Sequence, residues 1–394
     1  MIKENKSIPA EWKYVTLSDA VDKGSSNISL NKVKEDNGVY PLFSAKGLFK
    51  HISFYHQEKK YLAIIKDGAG IGRVTEHPAK SSIVGTMQYL IPKEGFDIGF
   101  IRYFLNGIDF ESHRQGSTIP HIYFKDYKSE PFPLPPLPQQ EQIVATLDKA
   151  FAALDTAKAN AEQNLKNAKE LFESYLQNVF ENKGDNWEDS TLGKMCGFQN
   201  GFAFKSEDSV DSSNTQVVRM GNLYQNKLNL ERKPAFYADS LVKELGKYLL
   251  EENDLIISLT GTTGKEDYGY TVKIPEIERN LLLNQRIAKF IIKDENVMAR
   301  DFLFRFLLSR VFLDELFKTA KGTRQANLST ETMKNLPISY PPLKEQREIV
   351  GKLDLLSSET GKLEAIYTQK IADLEEMKKS VLQKAFSGQL NTVN

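Results

Sequence analysis

The sequence PPLPQQEQIVATLD, which runs from Pro135 to Asp148, returns later in the chain as PPLKEQREIVGKLD, from Pro341 to Asp354. Eight of the fourteen aligned positions are identical. Self-similarity at a fixed offset is typical of an internally duplicated chain. The two copies are therefore best compared with each other before any single motif is interpreted.

A shorter match links the starts of the two copies, where Trp, Thr and Leu recur with the same spacing: Trp12, Thr16 and Leu17 against Trp187, Thr191 and Leu192. The second copy is the longer one, since more sequence separates its tryptophan from its proline pair. Between its matched ends, each copy shows two β-branched, apolar segments followed by a helical pattern. These predicted segments are 60–66, 83–92 and 98–107 in the first copy and 255–259, 286–292 and 301–317 in the second.

A long helix is predicted after each repeated segment, because apolar residues recur there at steps of three and four for about forty residues without proline. Neither apolar face is stable in water alone, so the two helices are expected to pack together in antiparallel directions. Lys378 interrupts the second face and is expected at its edge or paired with an acid on the other helix. The residues expected in this packing are Ile143, Leu147, Leu154, Leu165, Ile349, Leu353, Leu356, Leu363, Ile371 and Leu374.

These elements predict an α+β chain with two globular α/β domains separated by two long antiparallel helices, packed as a coiled coil with pseudo-twofold symmetry. The length of 394 residues is sufficient for several domains, each with its own core. The predicted boundaries are 1–138 for the first domain, 139–183 for the first helix, 184–343 for the second domain and 344–394 for the second helix with a C-terminal tail.

The composition argues against several classes of protein. Cys196 is the single cysteine, so the chain offers neither an internal disulfide nor a thiolate metal site, which fits a reducing cytosol. The five histidines lie in the first third of the chain without the spacing of a zinc site, and no metal site is predicted. No apolar segment has the length of a signal peptide core or a membrane span. A cytoplasmic protein that does not enter a membrane is expected.

Two segments resemble phosphate-binding loops and depart from them. Asp67–Gly72 (DGAGIG) is rich in glycine, but Arg73–Pro78 favours a strand instead of the helix that a cofactor-binding turn requires. A hairpin turn is therefore predicted. Gly261–Lys265 is too short for a phosphate loop, and Glu266 stands where Ser or Thr would bind magnesium, so an ordinary loop is predicted.

The proline runs ahead of the helices are also non-catalytic in this interpretation. Tyr340–Leu343 lacks the initial Asp or Asn and the final aromatic residue of the amino-methyltransferase motif. Pro131–Pro138 is interpreted as a rigid elbow that leads into the first helix. No nucleophile stands beside a suitable base, so no catalytic residue is predicted and the chain is not expected to be an enzyme.

The repeated segments, each with paired prolines, a Glu/Gln-rich turn and Ile-Val-x-x-Leu-Asp, resemble the conserved helical regions of specificity subunits of Type I restriction-modification systems. Leu382–Leu390 (LQKAFSGQL) is similar to the end of that family's second region. The resemblance covers the whole chain. It implies that the globular domains are target-recognition domains, that each reads one half of a split double-stranded DNA target, and that the helices set the spacing between the halves.

The same resemblance implies the partners and where the chemistry takes place. Two methyltransferase (modification) subunits would dock on the helices, and restriction or motor subunits would join the complex. S-adenosylmethionine, ATP and magnesium would be bound by those partners, with no cofactor on this chain. Catalysis would likewise belong to the partner subunits.

Candidate DNA contacts follow from side-chain chemistry, because Arg, Lys, Asn, Gln, Ser, Thr and His in loops suit base edges and phosphates. In the first domain the candidates are Lys66, Arg73, Arg114, Gln115, Ser117, Thr118 and His121. In the second domain they are Arg219, Asn222, Lys265, Arg286, Arg324, Gln325 and Asn327.

The charge balance predicts weak DNA binding by the isolated chain. Basic and acidic side chains both number 52, whereas an independent DNA-binding protein usually has a basic excess. Residues 1–138 carry 18 basic and 15 acidic side chains, and residues 184–340 carry 21 and 22. Affinity for DNA must then come from local patches or from a partner that supplies most phosphate contacts.

Two alternative functions remain open at this point. One is a specificity component of another DNA methylation system, including stand-alone methylation. The other is a structural coiled-coil adaptor that binds no nucleic acid. The globular domain duplicated before each helix favours a reader of two targets over a simple adaptor.

Overall fold

A computed structural model describes residues 8–319 and 325–390. Within these residues the chain forms two compact units: the first is drawn from Met1–Gln163 with Tyr367–Asn394, and the second from Asn164–Ile366. Two long helices, Leu137–Glu181 and Leu343–Phe386, contribute part of their length to each unit. Each begins at the leucine that follows a proline pair, since proline is tolerated only in the first turn of a helix.

The first unit contains these elements. Its strands are β1 (Lys13–Thr16), β2 (Val21–Ser25), β3 (Tyr40–Ser44), β4 (Gly47–Ile52), β5 (Tyr61–Ile65), β6 (Val74–His77), β7 (Ser82–Ile83), β8 (Met87–Pro92) and β9 (Pro131–Leu134). Its helices are α1 (Leu17–Ala20), α2 (Ile98–Asn106), α3 (Phe124–Tyr127) and the first part of α4 (Leu137–Glu181), with a 3₁₀ turn at Phe110–His113.

An antiparallel sheet in the order β2-β8-β5-β6 is the centre of the first unit. All five residues of β5 are buried, which explains the continuous apolar run from Tyr61 to Ile65. β6 pairs with β5 across residues 66–73, so the hairpin turn predicted at Asp67–Gly72 is confirmed. The predicted strand 83–92 is divided between β7 and β8. A second sheet, β4-β3-β7, and the pair β1-β9 complete the unit.

The second unit contains a longer set of elements. Its strands are β10 (Glu188–Thr191), β11 (Cys196–Asn200), β12 (Ser209–Val210), β13 (Thr215–Val218), β14 (Phe236–Tyr237), β15 (Leu249–Leu250), β16 (Leu255–Ser258), β17 (Thr260–Thr262), β18 (Thr271–Lys273), β19 (Asn280–Leu283), β20 (Ile287–Ile292), β21 (Gln325–Asn327) and β22 (Pro337–Tyr340). Its helices are the last part of α4, α5 (Leu192–Met195), α6 (Leu241–Glu244), α7 (Arg300–Leu307), α8 (Arg310–Thr319), α9 (Thr330–Met333) and the first part of α10 (Leu343–Phe386), with 3₁₀ turns at Ser206–Asp208, Met220–Asn226 and Gly246–Tyr248.

The second unit repeats the topology of the first. Its sheet β11-β20-β16-β18 has the order of β2-β8-β5-β6, and its pair β10-β22 corresponds to β1-β9. A five-stranded sheet, β12-β14-β13-β19-β15, includes the parallel pair β13-β19, as the first unit includes the parallel pair β3-β7. The second copy is longer than the first partly because more residues separate β11 from β16 than separate β2 from β5.

The strand register follows both sequence matches. Lys13 lies opposite Leu134 in the pair β1-β9, and Glu188 lies opposite Tyr340 in the pair β10-β22. Lys13 and Glu188 each follow the matched tryptophan directly, and Leu134 and Tyr340 each precede the matched proline pair. The sequence repeat is therefore a structural repeat at the level of individual strand pairs.

The interpretation of Pro131–Pro138 as an elbow is wrong for its first half. Residues Pro131–Leu134 form β9, with Pro133 opposite Tyr14. Proline cannot donate a backbone hydrogen bond, but the pair β1-β9 has two free edges, where a strand tolerates proline.

A buried glutamine near the start of each long helix fixes that helix to its globular part. The Gln140 amide accepts a hydrogen bond from the Asp97 N–H at 2.8 Å and donates to the carbonyls of Gly95 at 3.2 Å and Pro135 at 3.0 Å. Gln346, the matching residue of the second copy, makes the same three contacts at 2.8 Å with backbone atoms of Ala299, Val297 and Pro341. Both glutamines are fully buried, and their bonds offset the cost of burying an amide.

Aromatic rings from both long helices enter the cores. In the first unit, the ring of Phe386 in α10 lies 4.9 Å from that of Phe100. In the second unit, the ring of Phe180 in α4 lies 5.4 Å from that of Phe302 and 5.5 Å from that of Phe306. Each globular core therefore includes the end of one long helix as well as the start of the other, and this divides each helix between the units.

Within the first unit α4 and α10 run antiparallel. Lys158 Nζ lies 2.5 Å from Glu375 Oε1, and one turn along, Asp155 forms an ion pair with Lys378. Residue numbers therefore decrease along α4 in the direction in which they increase along α10, as expected for antiparallel helices. Lys378 also places its ammonium 5.6 Å from the ring centre of Phe151. The expectation that Lys378 pairs with an acid of the other helix is confirmed.

The helix residues that were expected to pack differ in their exposure. Ile143, Leu147, Leu154 and Leu353 are buried, and Leu363 is 39% exposed. Small residues such as Ala161 and Ala168 are buried in the middle of α4. The remaining expected positions are half-buried: Leu165, Ile349, Leu356, Ile371 and Leu374.

The single helix predicted over residues 301–317 is wrong, because the structure has two helices there, α7 and α8. The break lies at Ser309, which is buried. Its hydroxyl donates to the Phe306 carbonyl at 2.7 Å and accepts from the Phe312 N–H at 3.4 Å. Serine side chains compete in this way with the backbone hydrogen bonds of a helix, so α7 ends and α8 begins.

Candidate nucleic-acid interface

One end of the central sheet in the first unit gathers the predicted DNA-contacting loops. β2 ends at Ser25 opposite Gln88, and β5 ends at Ile65 opposite Met87. Because neighbouring strands are antiparallel, segments 26–31, 66–73 and 84–86 leave the sheet at the same end. We call these three segments, together with residues 114–123, the first reading edge.

The glycine-rich turn and the segment that carries His121 are joined by several hydrogen bonds. His121 Nδ1 lies 2.7 Å from Asp67 Oδ1, and the Gly68 N–H donates to the Pro120 carbonyl at 2.9 Å. Gln115 and His121 exchange two backbone hydrogen bonds, at 2.9 and 2.8 Å, and so form a small hairpin. Candidates that are far apart in sequence are therefore neighbours in space.

The tip of this hairpin requires glycine. Gly116 has a φ of +81°, and a Cβ there would lie 2.5 Å from the Ile119 carbonyl oxygen. The turn leaves Ser117, Thr118 and Ile119 exposed. Two hydroxyls and one apolar side chain thus project from the first reading edge.

The basic candidates of the first unit have weak or replaceable partners. The Arg73 guanidinium donates to the Ala45 carbonyl in the β3-β4 turn. Lys66 and Arg114 form ion pairs with carboxylates of their own segments at 3.7 and 3.3 Å, and Gln115 donates to a carboxylate of α3 at 2.8 Å. Ion pairs this close to solvent contribute little stability, so a DNA phosphate can replace the carboxylate at low cost.

The second unit has the corresponding edge. β11 ends at Asn200 opposite Ala288, and β16 ends at Ser258 opposite Ile287, so segments 201–205, 259–270 and 284–286 leave the sheet together. β17 and β21 pair at this end. We call these three segments with β21 the second reading edge.

Several candidates of the second unit lie on this edge. Lys265, Arg286 and Asn327 are exposed there. Gln325 is described by its backbone alone, which lies opposite Thr262. Arg324 falls outside the described residues, as does the rest of the turn that matches Gly116–Thr118 of the first copy.

Asn222 is a wrong candidate. Its side chain is 1% exposed, and its amide donates to the carbonyls of Asn229 at 2.8 Å and Arg232 at 3.0 Å. Its Oδ1 accepts from the Arg219 N–H at 2.8 Å. The Asn222 amide closes the loop 219–232 through these contacts, so the side chain of Asn222 is not available to DNA. Arg219 is exposed, and its guanidinium donates to the Lys233 carbonyl.

The loop predicted at Gly261–Lys265 is partly a strand, since its first two residues belong to β17. Beyond it, Arg310 contacts both carboxylate oxygens of Glu266, at 2.8 and 3.2 Å. This contact lowers the pKa of the Glu266 carboxyl, which therefore stays negative at neutral pH. A negative charge at this position would repel a phosphate, so this segment is unsuited to bind one.

Sequence reasoning missed the aromatic side chains of both edges. Tyr123 is 45% exposed on the first reading edge, and Phe202 is 37% exposed on the second. Next to β18, Tyr224 is 47% exposed, and the Arg232 guanidinium lies 4.7 Å from its ring centre. These rings make no hydrogen bond to a base edge, but aromatic rings stack on bases. The available signal was an aromatic residue close to a polar loop candidate, since Tyr123 lies two residues from His121.

Within the described ranges, no group of three or more His, Cys, Asp or Glu side chains is arranged to hold a metal ion. None of the helices in those ranges is both long enough and apolar enough to cross a membrane. Cys196 is buried, and burial raises the pKa of its thiol to about 12, so it is not a reactive thiolate at neutral pH.

Comparison with known families agrees with the duplicated architecture. Residues 9–167 and 184–375 each match the Type I restriction modification DNA specificity domain. The chain belongs to this family. Each matched range contains one globular part and most of the helix that follows it, so this chain carries the domain twice, as the internal repeat predicts.

Two relatives are similar to this chain over most of their length. The specificity subunit of the MjaVIII Type I restriction enzyme of Methanocaldococcus jannaschii is 24% identical, with 98% of this chain and 95% of that protein covered. The EcoDI specificity subunit of Escherichia coli is 22% identical, with 97% and 89% covered. Family membership and chain-long similarity therefore agree.

Two solved structures share the fold. A chain from a structure concerned with complex assembly and conformational transition of the type I R-M system has a TM-score of 0.75 at 16% identity and covers 98% of this chain and 100% of that one. The HsdS subunit from Thermoanaerobacter tengcongensis has a TM-score of 0.56 at 16% identity, with 97% and 98% covered. The expected fold class, with two globular α/β parts and long helices, is confirmed.

Proposed function

We propose that this chain is the non-catalytic subunit that gives a Type I restriction-modification complex its DNA sequence specificity. Each unit reads one half of a split double-stranded target. The observation that carries the proposal is that the same sheet end occurs twice, with the same strand order and different side chains. Membership of a family described as a DNA specificity domain supports DNA as the molecule that these edges read.

The two edges differ in the chemistry they present. Both edges carry cations and an exposed ring, but the first adds His121 and the Ser117 and Thr118 hydroxyls, whereas the second combines Lys265 and Arg286 with Asn327. Base edges are distinguished by their donors, acceptors and methyl groups, so different side chains on the same frame select different sequences. Two unlike edges therefore correspond to two unlike half-sites.

The remaining parts of the proposal concern partners. The long helices set the spacing between the half-sites and dock two methyltransferase subunits, and restriction or motor subunits complete the complex in the cytoplasm. S-adenosylmethionine, ATP and magnesium bind to those partners, which carry the catalysis. Support comes from the family match and from the balanced charge of 52 basic and 52 acidic side chains, which leaves phosphate binding largely to partners.

The test uses the native host. We expect the tagged chain to co-purify with a methyltransferase subunit. Genome-wide mapping of methyladenine should show a two-part motif, and methylation of this motif should disappear when the gene that encodes the chain is deleted. Methylation that persists unchanged in the deletion strain would refute the proposal and favour an adaptor role. The presence or absence of a nuclease in the purified complex distinguishes a restriction system from stand-alone methylation.

A further inference from the structure

A groove of about 490 Å³ lies on the first reading edge, lined by residues 27–31 and 84–86. It is directly beside the glycine-rich turn, because the Thr86 carbonyl accepts hydrogen bonds from the N–H groups of Lys66 at 3.1 Å and Asp67 at 3.3 Å. Sequence reasoning had no basis for nominating these lining residues, since they lie in two short loops without a motif.

The backbone around the groove is held by internal hydrogen bonds. The Gly85 N–H donates to the Ile28 carbonyl at 2.9 Å, and the Ser26 hydroxyl donates to the Ile83 carbonyl at 2.5 Å. Ile28 and Val84 are 6% and 4% exposed and join the core behind the groove. The groove therefore exists before any ligand binds, which reduces the entropic cost of binding.

The side chains that line the groove are polar, neutral and uncommitted. Asn27, Ser29, Asn31 and Thr86 are exposed, and within the described residues their side chains make no hydrogen bond with the protein. Leu30, which is 40% exposed, adds an apolar surface. The Asn222 amide differs, because all of its hydrogen bonds are made to backbone atoms of its own loop.

The absence of charge among the lining residues identified for the groove decides what kind of ligand it fits. A phosphate would require cations, which are found instead at neighbouring positions such as Lys66 and Lys32. Carboxamides match the N7 acceptor and N6 amino donor of adenine, and an apolar side chain matches the thymine methyl group. The adenine N7 and N6 groups and the thymine methyl group occur together at the major-groove edge of an A·T base pair.

We propose that this groove reads an A·T base pair of the DNA target through its major groove. Asn27 and Asn31 provide the carboxamides that bind adenine, Leu30 contacts the thymine methyl group, and Lys66 contacts the adjacent phosphate. The inference rests on the proposed function and adds a base identity to it. It assigns this recognition to residues outside the candidates found by sequence.

The experiment selects DNA from a randomised duplex library with the complex that this chain forms with its co-purifying methyltransferase subunits, because the balanced charge of the chain leaves most phosphate contacts to its partners. The wild-type chain is expected to enrich a two-part motif. The double variant Asn27→Ala/Asn31→Ala is expected to lose preference at one A·T position, by roughly 10- to 100-fold, while the other half of the motif is retained. Asn37→Ala, an exposed asparagine of the same unit outside the groove, is the matched control and should behave as wild type.

A second variant tests the groove without removing an amide. A Cβ on Gly85 would lie 3.4 Å from the Ser26 carbonyl oxygen and 3.5 Å from that of Ile28, which are ordinary contacts, so Gly85→Ala should fold normally. It narrows the groove and is expected to weaken binding to the selected motif relative to unrelated DNA.

The possible outcomes separate this inference from the proposed function. If the wild-type chain enriches a motif and the double variant keeps every position of it, base reading by the groove is refuted and the proposed function stands. A uniform loss of affinity for all sequences would also refute it, because that result indicates a phosphate contact. If the complex with the wild-type chain enriches no motif, the proposed function fails and this inference fails with it.

Discussion

Tyr127 has a hydroxyl without a hydrogen-bond partner in the described part of the chain, although its side chain is fully buried. The rings of Phe110 and Phe124 lie 5.2 and 5.4 Å away, and burial raises the pKa of the hydroxyl. We expect Tyr127→Phe to leave the free energy of unfolding unchanged or to raise it by about 1 kcal/mol, since an unsatisfied polar group is removed. Urea unfolding at neutral pH measures this change.

Tyr61→Phe is the matched control, because the Tyr61 hydroxyl lies 2.8 Å from the Ser81 hydroxyl. Removing a satisfied hydrogen bond is expected to lower the free energy of unfolding by about 1 kcal/mol. Equal destabilisation by the two substitutions would show that the Tyr127 hydroxyl does contribute a bond.

His77 predicts a pH dependence of stability. Its imidazole lies 4.4 Å from the ring of Phe43 and 5.4 Å from that of Tyr61, and burial lowers its pKa to about 4. In the unfolded chain its pKa is near 6.5, so the unfolded state binds more protons between these values. Stability should therefore fall as the pH decreases from about 6.5 towards 4, by on the order of 2 kcal/mol at pH 5.

The measurement is the melting temperature of wild type and His77→Phe between pH 7.5 and pH 4.5. Phenylalanine keeps a planar ring in the stack but cannot be protonated, so the variant should lose this part of the pH dependence. Parallel curves for the two proteins would mean that other groups cause the acid destabilisation.

At the scale of elements, Gln140 connects the start of α4 to the globular part of the first unit. Gln140→Ala leaves the Asp97 N–H and two carbonyls without their partner in a buried site. We expect a loss of at least about 2 kcal/mol in the free energy of unfolding, given the cost of unsatisfied buried groups. Gln142→Ala, at an exposed position of the same helix, should change it by less than about 0.5 kcal/mol. Similar effects of both substitutions would contradict the anchoring role of Gln140.

The antiparallel pairing of α4 and α10 in the first unit can be tested by exchanging charges. Lys158→Glu places a second negative charge opposite Glu375, so it is expected to lower the melting temperature. The double variant Lys158→Glu/Glu375→Lys should restore it, and both effects should shrink at high salt, about 1 M NaCl, because salt screens exposed charges. A double variant no more stable than the single one would exclude this register.

At the scale of the whole molecule, the two edges should control different halves of the motif. Arg286→Ala is expected to weaken base preference by roughly 10-fold in the half that the Asn27→Ala/Asn31→Ala variant leaves intact, since arginine commonly reads guanine. The same library selection measures it. Lys194→Ala, exposed beside the opposite end of the second sheet, is the control. If both edge variants weakened base preference in the same half of the motif, the assignment of one half-site to each unit would be wrong.

Much of the fold could be predicted because it depends on local spacing. The long helices follow from a three-and-four periodicity, β5 from a continuous apolar run, and the turn at Asp67–Gly72 from glycines between two strand patterns. The two-helix structure at Ser309 could not be predicted, because a serine hydroxyl ends a helix or points to solvent according to the packing around it. For the same reason Asn222 was indistinguishable from an exposed asparagine.

The sequence by itself determined that this chain is duplicated, that each copy ends in a long helix, and which family it resembles, since all three are visible as order and spacing along one chain. Only the tertiary structure decided which side chains share a surface. Segments 26–31, 66–73, 84–86 and 114–123 meet because antiparallel strands return to the same sheet end, and hydrogen bonds such as that between Asp67 and His121 hold them there. A binding edge made of such distant segments has no signature in any one of them.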